Sequence, residues 1–266
     1  MRLLLPIVLA AALVGCGTPP PGGSSTEPPA ASNPHERGEE IVAEHIRRDA
    51  APFRKDRIRF TISAPDEPVE IFELDVFRRQ RGGETNTLSM IVKPDADAGS
   101  GSLTTERAGQ PTVNITYSVS RDEFRETDTG RMFFGGLTAQ ELLSEWSKYS
   151  YHFIDERDFQ GSRVFAVEGR LKKSESSVIT LNKLLFDAVT YLPVEMRLFD
   201  RTGKELRTFQ SKETGSVDGR AFVRRTDVVN HVYNSNITIE ILSREFPATL
   251  EDSLFDREHL RRSARK

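Results

Sequence analysis

From residue 36 onward, apolar and polar side chains alternate along most of the chain. Ile58, Phe60 and Ile62 are separated by polar neighbours, as are Phe72, Leu74 and Val76, then Leu88, Met90 and Val92, then Val113, Ile115, Tyr117 and Val119. A β-strand turns successive side chains to opposite faces, so each run predicts a strand with one buried and one wet face. Comparable runs near 149–156, 162–170, 177–186, 191–200, 204–211, 220–232 and 236–243 extend the series. Asp200-Arg201-Thr202-Gly203 and Asp218-Gly219 are placed to turn hairpins between them. The pattern predicts a mainly β protein of about ten antiparallel strands.

Two segments use helical spacing instead. In residues 39–53, Ile41, Val42, Ile46, Ala50 and Phe53 form one stripe, with Glu40, Glu44, Arg47 and Arg48 opposite. In residues 138–146, Thr138 and Glu141 have the spacing of a capping box, and Leu142, Leu143 and Trp146 share one side. Few helices and many strands bury all of these stripes if the sheet curls part-way round and the helices lie across its concave face. The expected architecture is therefore an unclosed antiparallel β-barrel with helices covering the concavity.

The chain opens differently. An apolar run from Leu3 to Gly15 follows Arg2, is broken by Pro6, and gives way to Pro, Gly and Ser. It is too short for a membrane span, which needs about 20 apolar residues, and reads as a secretory signal. A cut after Ala10-Ala11-Ala12 would leave Cys16, the sole cysteine, as an unpaired thiol. Leu13-Val14-Gly15-Cys16 instead resembles the lipobox of bacterial lipoproteins, in which the cysteine is lipidated and becomes the first mature residue. That resemblance implies a membrane attachment through Cys16, and Gly17, where an Asp would resemble an inner-membrane retention signal, points to the outer membrane facing the periplasm. The expected organisation is a signal peptide at 1–15, a lipidated Cys and Pro/Gly/Ser-rich tether at 16–35, and one domain at 36–266. A Pro-rich tether of this length reaches up to roughly 60 Å.

Two further stretches carry a family resemblance. KPDADAGSGSL at 93–103 and GRMFFGGLTAQELL at 130–143 resemble the Pro-Asp-Gly turn and the R-x-x-x-G-x-x-x-x-x-D/E-L segment of outer-membrane lipoprotein-sorting-like proteins, relatives of LolA and LolB. The order of parts agrees over about 36–260, down to a closing Leu254-Phe255 and Leu260 after the final strand. What the resemblance implies is a half-barrel that accepts acyl chains of lipids or lipoproteins in a hydrophobic concavity, in lipoprotein sorting or lipid transport. Its outer-membrane receptor type carries a lipobox, which places a chain with Cys16 nearer to that type. On this reading the acyl-chain contacts are Leu142, Leu143, Trp146, Ile115, Tyr117 and Ile46. Phe133 and Phe134, beside Gly135 and Gly136, are the candidate membrane-contact loop.

Charge and chemistry narrow the classes. The formal net charge is −3 with 29% charged residues, spread rather than blocked, which gives no footprint for nucleic acid. The basic run at 261–266 reads as a solvated helix end or a contact for anionic lipid head groups. The five histidines lack metal-ligand spacing, and no G-x-S-x-G elbow occurs. Asp95, Asp97 and Glu106 stand where a calcium loop would place ligands, but Ser100 occupies the position that such a loop reserves for Gly, so the stretch reads as a turn. The expectation is a non-enzymatic protein without metal or cofactor. The alternative is an accessory module that docks onto an envelope transporter or another lipoprotein. A carrier needs an apolar cavity of roughly a few hundred cubic ångströms, whereas a docking module needs none.

Overall fold

The computed structural model describes residues 33–107, 110–127, 136–137 and 146–263. Asn33–Lys266 forms one compact unit. It begins with helix α1 (Pro34–Asp49), followed by β1 (Phe53–Ser63), β2 (Glu70–Arg81), β3 (Glu84–Lys93), β4 (Gly101–Arg107), β5 (Val113–Ser118) and β6 (Glu123–Thr127). Then come β7 (Tyr149–Phe159), β8 (Ser162–Leu171), β9 (Leu181–Asp187), β10 (Pro193–Phe199), β11 (Glu205–Val217), β12 (Arg220–Asn230) and β13 (Ser235–Glu245). A short helix α2 (Arg257–Ser263) closes the unit. All strands join one antiparallel sheet in the order β6-β5-β4-β3-β2-β1-β13-β12-β11-β10-β9-β8-β7.

That is 13 strands among the described residues rather than about ten. The alternation pattern passes over β4 and β6, whose sequences, GSLTTER and EFRET, hold one apolar residue each. Both hairpin turns read from sequence are present, with Asp218 and Gly219 at φ 51° and 74° and Gly203 at φ 81°. The Asp95/Asp97 stretch is also a turn, closed by Asp97 N–H donating to Pro94 O at 3.0 Å and Ser100 N–H to Asp97 O at 2.9 Å.

Helix α1 starts earlier and stops earlier than its apolar stripe suggests. Asn33 caps it by accepting from His35 N–H at 3.0 Å, and Pro34 occupies the first turn, where a missing N–H costs nothing. The helix therefore begins inside the segment read as tether. It ends at Asp49 because Ala50 turns extended, and Phe53 opens β1.

The sheet must curl. Near its start α1 meets β7, through Gly38 against the His152 backbone, and at its end Asp49 pairs with Arg54 of β1 and Arg78 of β2. Eight steps separate β7 from β2, about 38 Å on a flat sheet. Residues 38–49 of a helix span only about 16 Å. Curling brings the two regions under one helix, and α1 occupies the inner face.

Strand register sorts the apolar residues by face. Leu74 and Val76 pair with Ile91 and Ser89, and Leu74, Val76 and Ile91 pack in the large core under α1 with Phe60, Tyr151, Phe186 and Val228. Phe77 pairs with Leu88, Leu88 with Leu103, and Leu103 with Ile115, one residue out of phase and so on the outer face. There Leu88, Leu103 and Tyr117 pack with Phe255 and with Leu260 of α2, which is 0% exposed. Gly101 is required first by the neighbouring strand, since a Cβ at that position would run into the Ser89 carbonyl oxygen, and it also leaves room for the Leu260 side chain. The helices therefore do not all cover the concave face: α1 does, and α2 lies on the opposite one. The expected helix at 138–146 falls outside the described residues except for Trp146, which opens a single 3-10 turn, Trp146–Lys148.

Candidate functional site: the inner face of the sheet

The inner face has two halves of opposite chemistry. From β7 round to β1 it is apolar, and α1 lies over it with Ile41 and Val42 pointing in. Trp146, half-buried, packs against this half, its ring centroid 5.2 Å from that of His45, 6.2 Å from Phe186 and 6.3 Å from Tyr151. The Tyr151 hydroxyl donates to Trp146 O at 2.9 Å and fixes the turn. Burial raises the Tyr151 pKa well above its usual range, which keeps this group a donor at any physiological pH.

Helix α1 is bound along its whole length. Glu39 accepts from Tyr151 N–H at 2.9 Å, and His35 Nδ1 donates to Tyr151 O at 2.9 Å. Farther along, His45 Nδ1 donates to Tyr191 O at 3.0 Å, and Arg48 donates to Val189 O at 2.6 Å. Desolvation lowers the His45 pKa, with the nearby Asp49 charge opposing it, so the neutral imidazole is favoured. Beyond the helix end, Asp56 is 1% exposed and accepts from Arg244 Nε and Nη2 at 2.8 and 2.9 Å, with Arg54 Nε 3.1 Å away. Burial also lowers the Arg78 pKa, with neighbouring Arg54 acting in the same direction.

From β3 to β6 the inner face is polar. Register places Thr87 and Ser89 beside Thr104 and Ser102, and these beside Asn114 and Thr116. Thr104 Oγ1 donates to Asn114 Oδ1 at 2.9 Å, with both residues buried. A half-open groove of about 330 Å³ lies over this half. Leu74 and Ile91 bound it on the side of the apolar core, and Arg121, Glu123 and Arg125 stand along it.

The residues singled out from sequence are dispersed by the fold. Trp146 faces the inner apolar half. Ile46 is 43% exposed on α1. Ile115 and Tyr117 belong to the outer-face register, and Tyr117 donates to Asp122 Oδ1 at 2.8 Å beside α2. Leu142, Leu143, Phe133, Phe134 and Cys16 lie outside the described residues. The polar half escaped the sequence reading, although Thr85, Thr87 and Ser89 recur at every second position just as Leu88 and Met90 do. Among the described residues, no three His, Cys, Asp or Glu side chains converge as a metal-binding group, and no helix is long and apolar enough to cross a membrane.

Residues 83–262 match the model of a family described as uncharacterized protein. No curated protein shows significant sequence similarity to the chain. Among solved structures, a DUF1329 family protein from Desulfovibrio piger superposes with a TM-score of 0.81 at 15% identity, covering 86% of this chain and 100% of that one. A putative outer membrane lipoprotein-sorting protein domain from Vibrio parahaemolyticus gives a TM-score of 0.77 at 18% identity, over 85% of this chain and 99% of that one. A LolA superfamily protein from Nitrosomonas europaea gives 0.67 at 12% identity, over 84% and 98%. At these identities the likeness is one of fold.

Proposed function

Because the chain belongs to this family of uncharacterized proteins and carries the fold of LolA superfamily proteins, we propose that it is a lipid-anchored envelope protein that binds acyl chains of lipids or lipoproteins. The chains would lie between α1 and the apolar half of the inner face. On this reading Cys16 holds the protein at the outer membrane, and the domain works without catalysis. The observation that carries the proposal is the position of Trp146, a half-buried amphipathic ring between His45 of the cover helix and Phe186 of the sheet.

The test is a fluorescence titration of a chain beginning at Asn33, in which Trp146 is the sole tryptophan. Addition of a long-chain phospholipid or an acylated peptide should shift or quench the emission saturably. Emission indifferent to both, together with no lipid recovered by mass spectrometry from the purified protein, would defeat the proposal. One observation favours a second reading. Under α1 the inner face is filled by the protein's own side chains, with Tyr151, Phe186 and Leu184 at 2% exposure or less. That packing suits a module that docks onto an envelope transporter, and the same unresponsive Trp146 would support it.

A further inference from the structure

We propose that the groove over β3–β6 seats the anionic head group of the bound amphiphile, a phosphate or carboxylate, while its chain runs along Leu74 and Ile91 into the apolar half. The inference rests on the acyl-binding reading above and adds to it the charge class of the ligand.

Leu74 and Ile91 give the groove an apolar wall, and serines, Thr116 and three charged side chains line much of the rest. Leu74 and Ile91 belong to the large core as well as to the groove, so the groove adjoins the region assigned to acyl chains along an apolar wall. Its remaining walls are rich in hydroxyls, and among these Ser89 and Ser102 face each other across β3 and β4. Thr116 Oγ1 donates to Arg125 O, and Ser100 Oγ accepts from Val119 N–H, so those two hydroxyls are already engaged. Ser89 and Ser102 make no side-chain hydrogen bond to a described residue and are half-buried. Half-buried donors without partners are costly unless a ligand or water meets them.

Charge gives the sign of that ligand. Two guanidinium groups line the groove against one carboxylate, and a single oxygen, Glu123 Oε1, faces both, 2.6 Å from Arg125 Nη2 and 3.5 Å from Arg121 Nη1. One carboxylate balances only one of the two guanidinium groups, so N–H donors and a net positive charge remain. The side chains of Arg121 and Arg125 are 60% and 49% exposed, free to reorient toward a guest. Forked guanidinium donors beside serine hydroxyls are the chemistry that holds phosphate or carboxylate oxygens. A cationic head group would meet like charge here, and a neutral one would leave the guanidinium groups unanswered.

The experiment compares three amphiphiles of one chain length: dodecyl phosphate, dodecanoate and the neutral monododecylglycerol. Each is titrated below its micelle threshold into the chain beginning at Asn33, by calorimetry. Both anions should bind at least about tenfold more tightly than the neutral probe, and about 0.5 M salt should shrink that margin. Dodecyl phosphate binding tighter than dodecanoate would point to a lipid phosphate, and the reverse order to a free fatty acid. The double variant Arg121→Gln/Arg125→Gln should bring all three affinities within about threefold of one another. It should still bind monododecylglycerol and unfold in one cooperative transition, which separates loss of the anion site from loss of the fold. Equal affinities in the parent chain, or a preference that survives in the double variant, overturn the head-group site and spare the acyl-binding reading. Failure of all three probes to bind overturns that reading and the head-group site with it.

Discussion

At Gly38 a Cβ would stand 2.7 Å from His152 N and 2.8 Å from both its Cα and carbonyl carbon. All three are backbone atoms of a paired strand and cannot yield, so Gly38→Ala should push α1 off β7. The expected loss is about 1–3 kcal/mol, read from the urea midpoint. His45 supplies a second test. Its pKa is lowered from the ordinary 6.5 by burial, so between the two values the unfolded chain binds more protons than the folded one. Stability should therefore decline as pH falls from about 7 through 6.5, and be level above that range. His45→Asn keeps a donor for Tyr191 O but does not titrate, and should lose this part of the slope. A slope unchanged in the variant would assign it to other groups. Neither contact was legible in the sequence. Gly38 looks like any helix-weakening glycine, and His45 like one histidine among five, until the sheet is folded against them.

Among the elements, the strands were legible wherever one face is apolar, and β4 and β6 were missed because both their faces are largely polar or charged. Which face of a strand turns inward was not legible at all. Leu88, Met90 and Ile115 alternate as Leu74 and Val76 do, yet register puts them on the other side of the sheet. Alternation has a period of two whichever side is covered, and only the return of the C-terminal segment under β3–β5 decides the matter. That cover is testable. Leu260→Ala should cost about 2–5 kcal/mol in a denaturant titration, since it empties a fully buried contact with Leu88, Leu103 and Tyr117. Trp146 emission should stay unchanged in the folded variant, because its neighbours lie on the opposite face. A change in that emission would mean that the two faces are coupled.

For the whole molecule, the half-barrel class could be read from pattern and resemblance, and the division of its inner face could not. Serines and threonines in a strand signal a wet surface in sequence, and only curvature turns that surface inward. The anchor assigned to Cys16 is open to a direct measurement: Cys16→Ser should move the protein from the membrane fraction to the soluble periplasm. Retention on outer membranes after a high-salt wash would contradict acyl anchoring, since salt removes electrostatic attachment and leaves acyl chains in place. The meeting of Glu39 and His35 with Tyr151 has a bearing on solubility. Among the described residues β7 ends the sheet, and the exposed edge of a terminal strand invites pairing with a strand of another molecule. The two side chains fill the N–H and C=O that Tyr151 would offer to such a strand. Opening at the start of α1 would bare these groups to a strand of another molecule. Opening at its far end, around Asp49, would leave those two contacts in place, so if α1 lifts to admit an acyl chain, as proposed above, self-association is avoided when the hinge lies at its beginning.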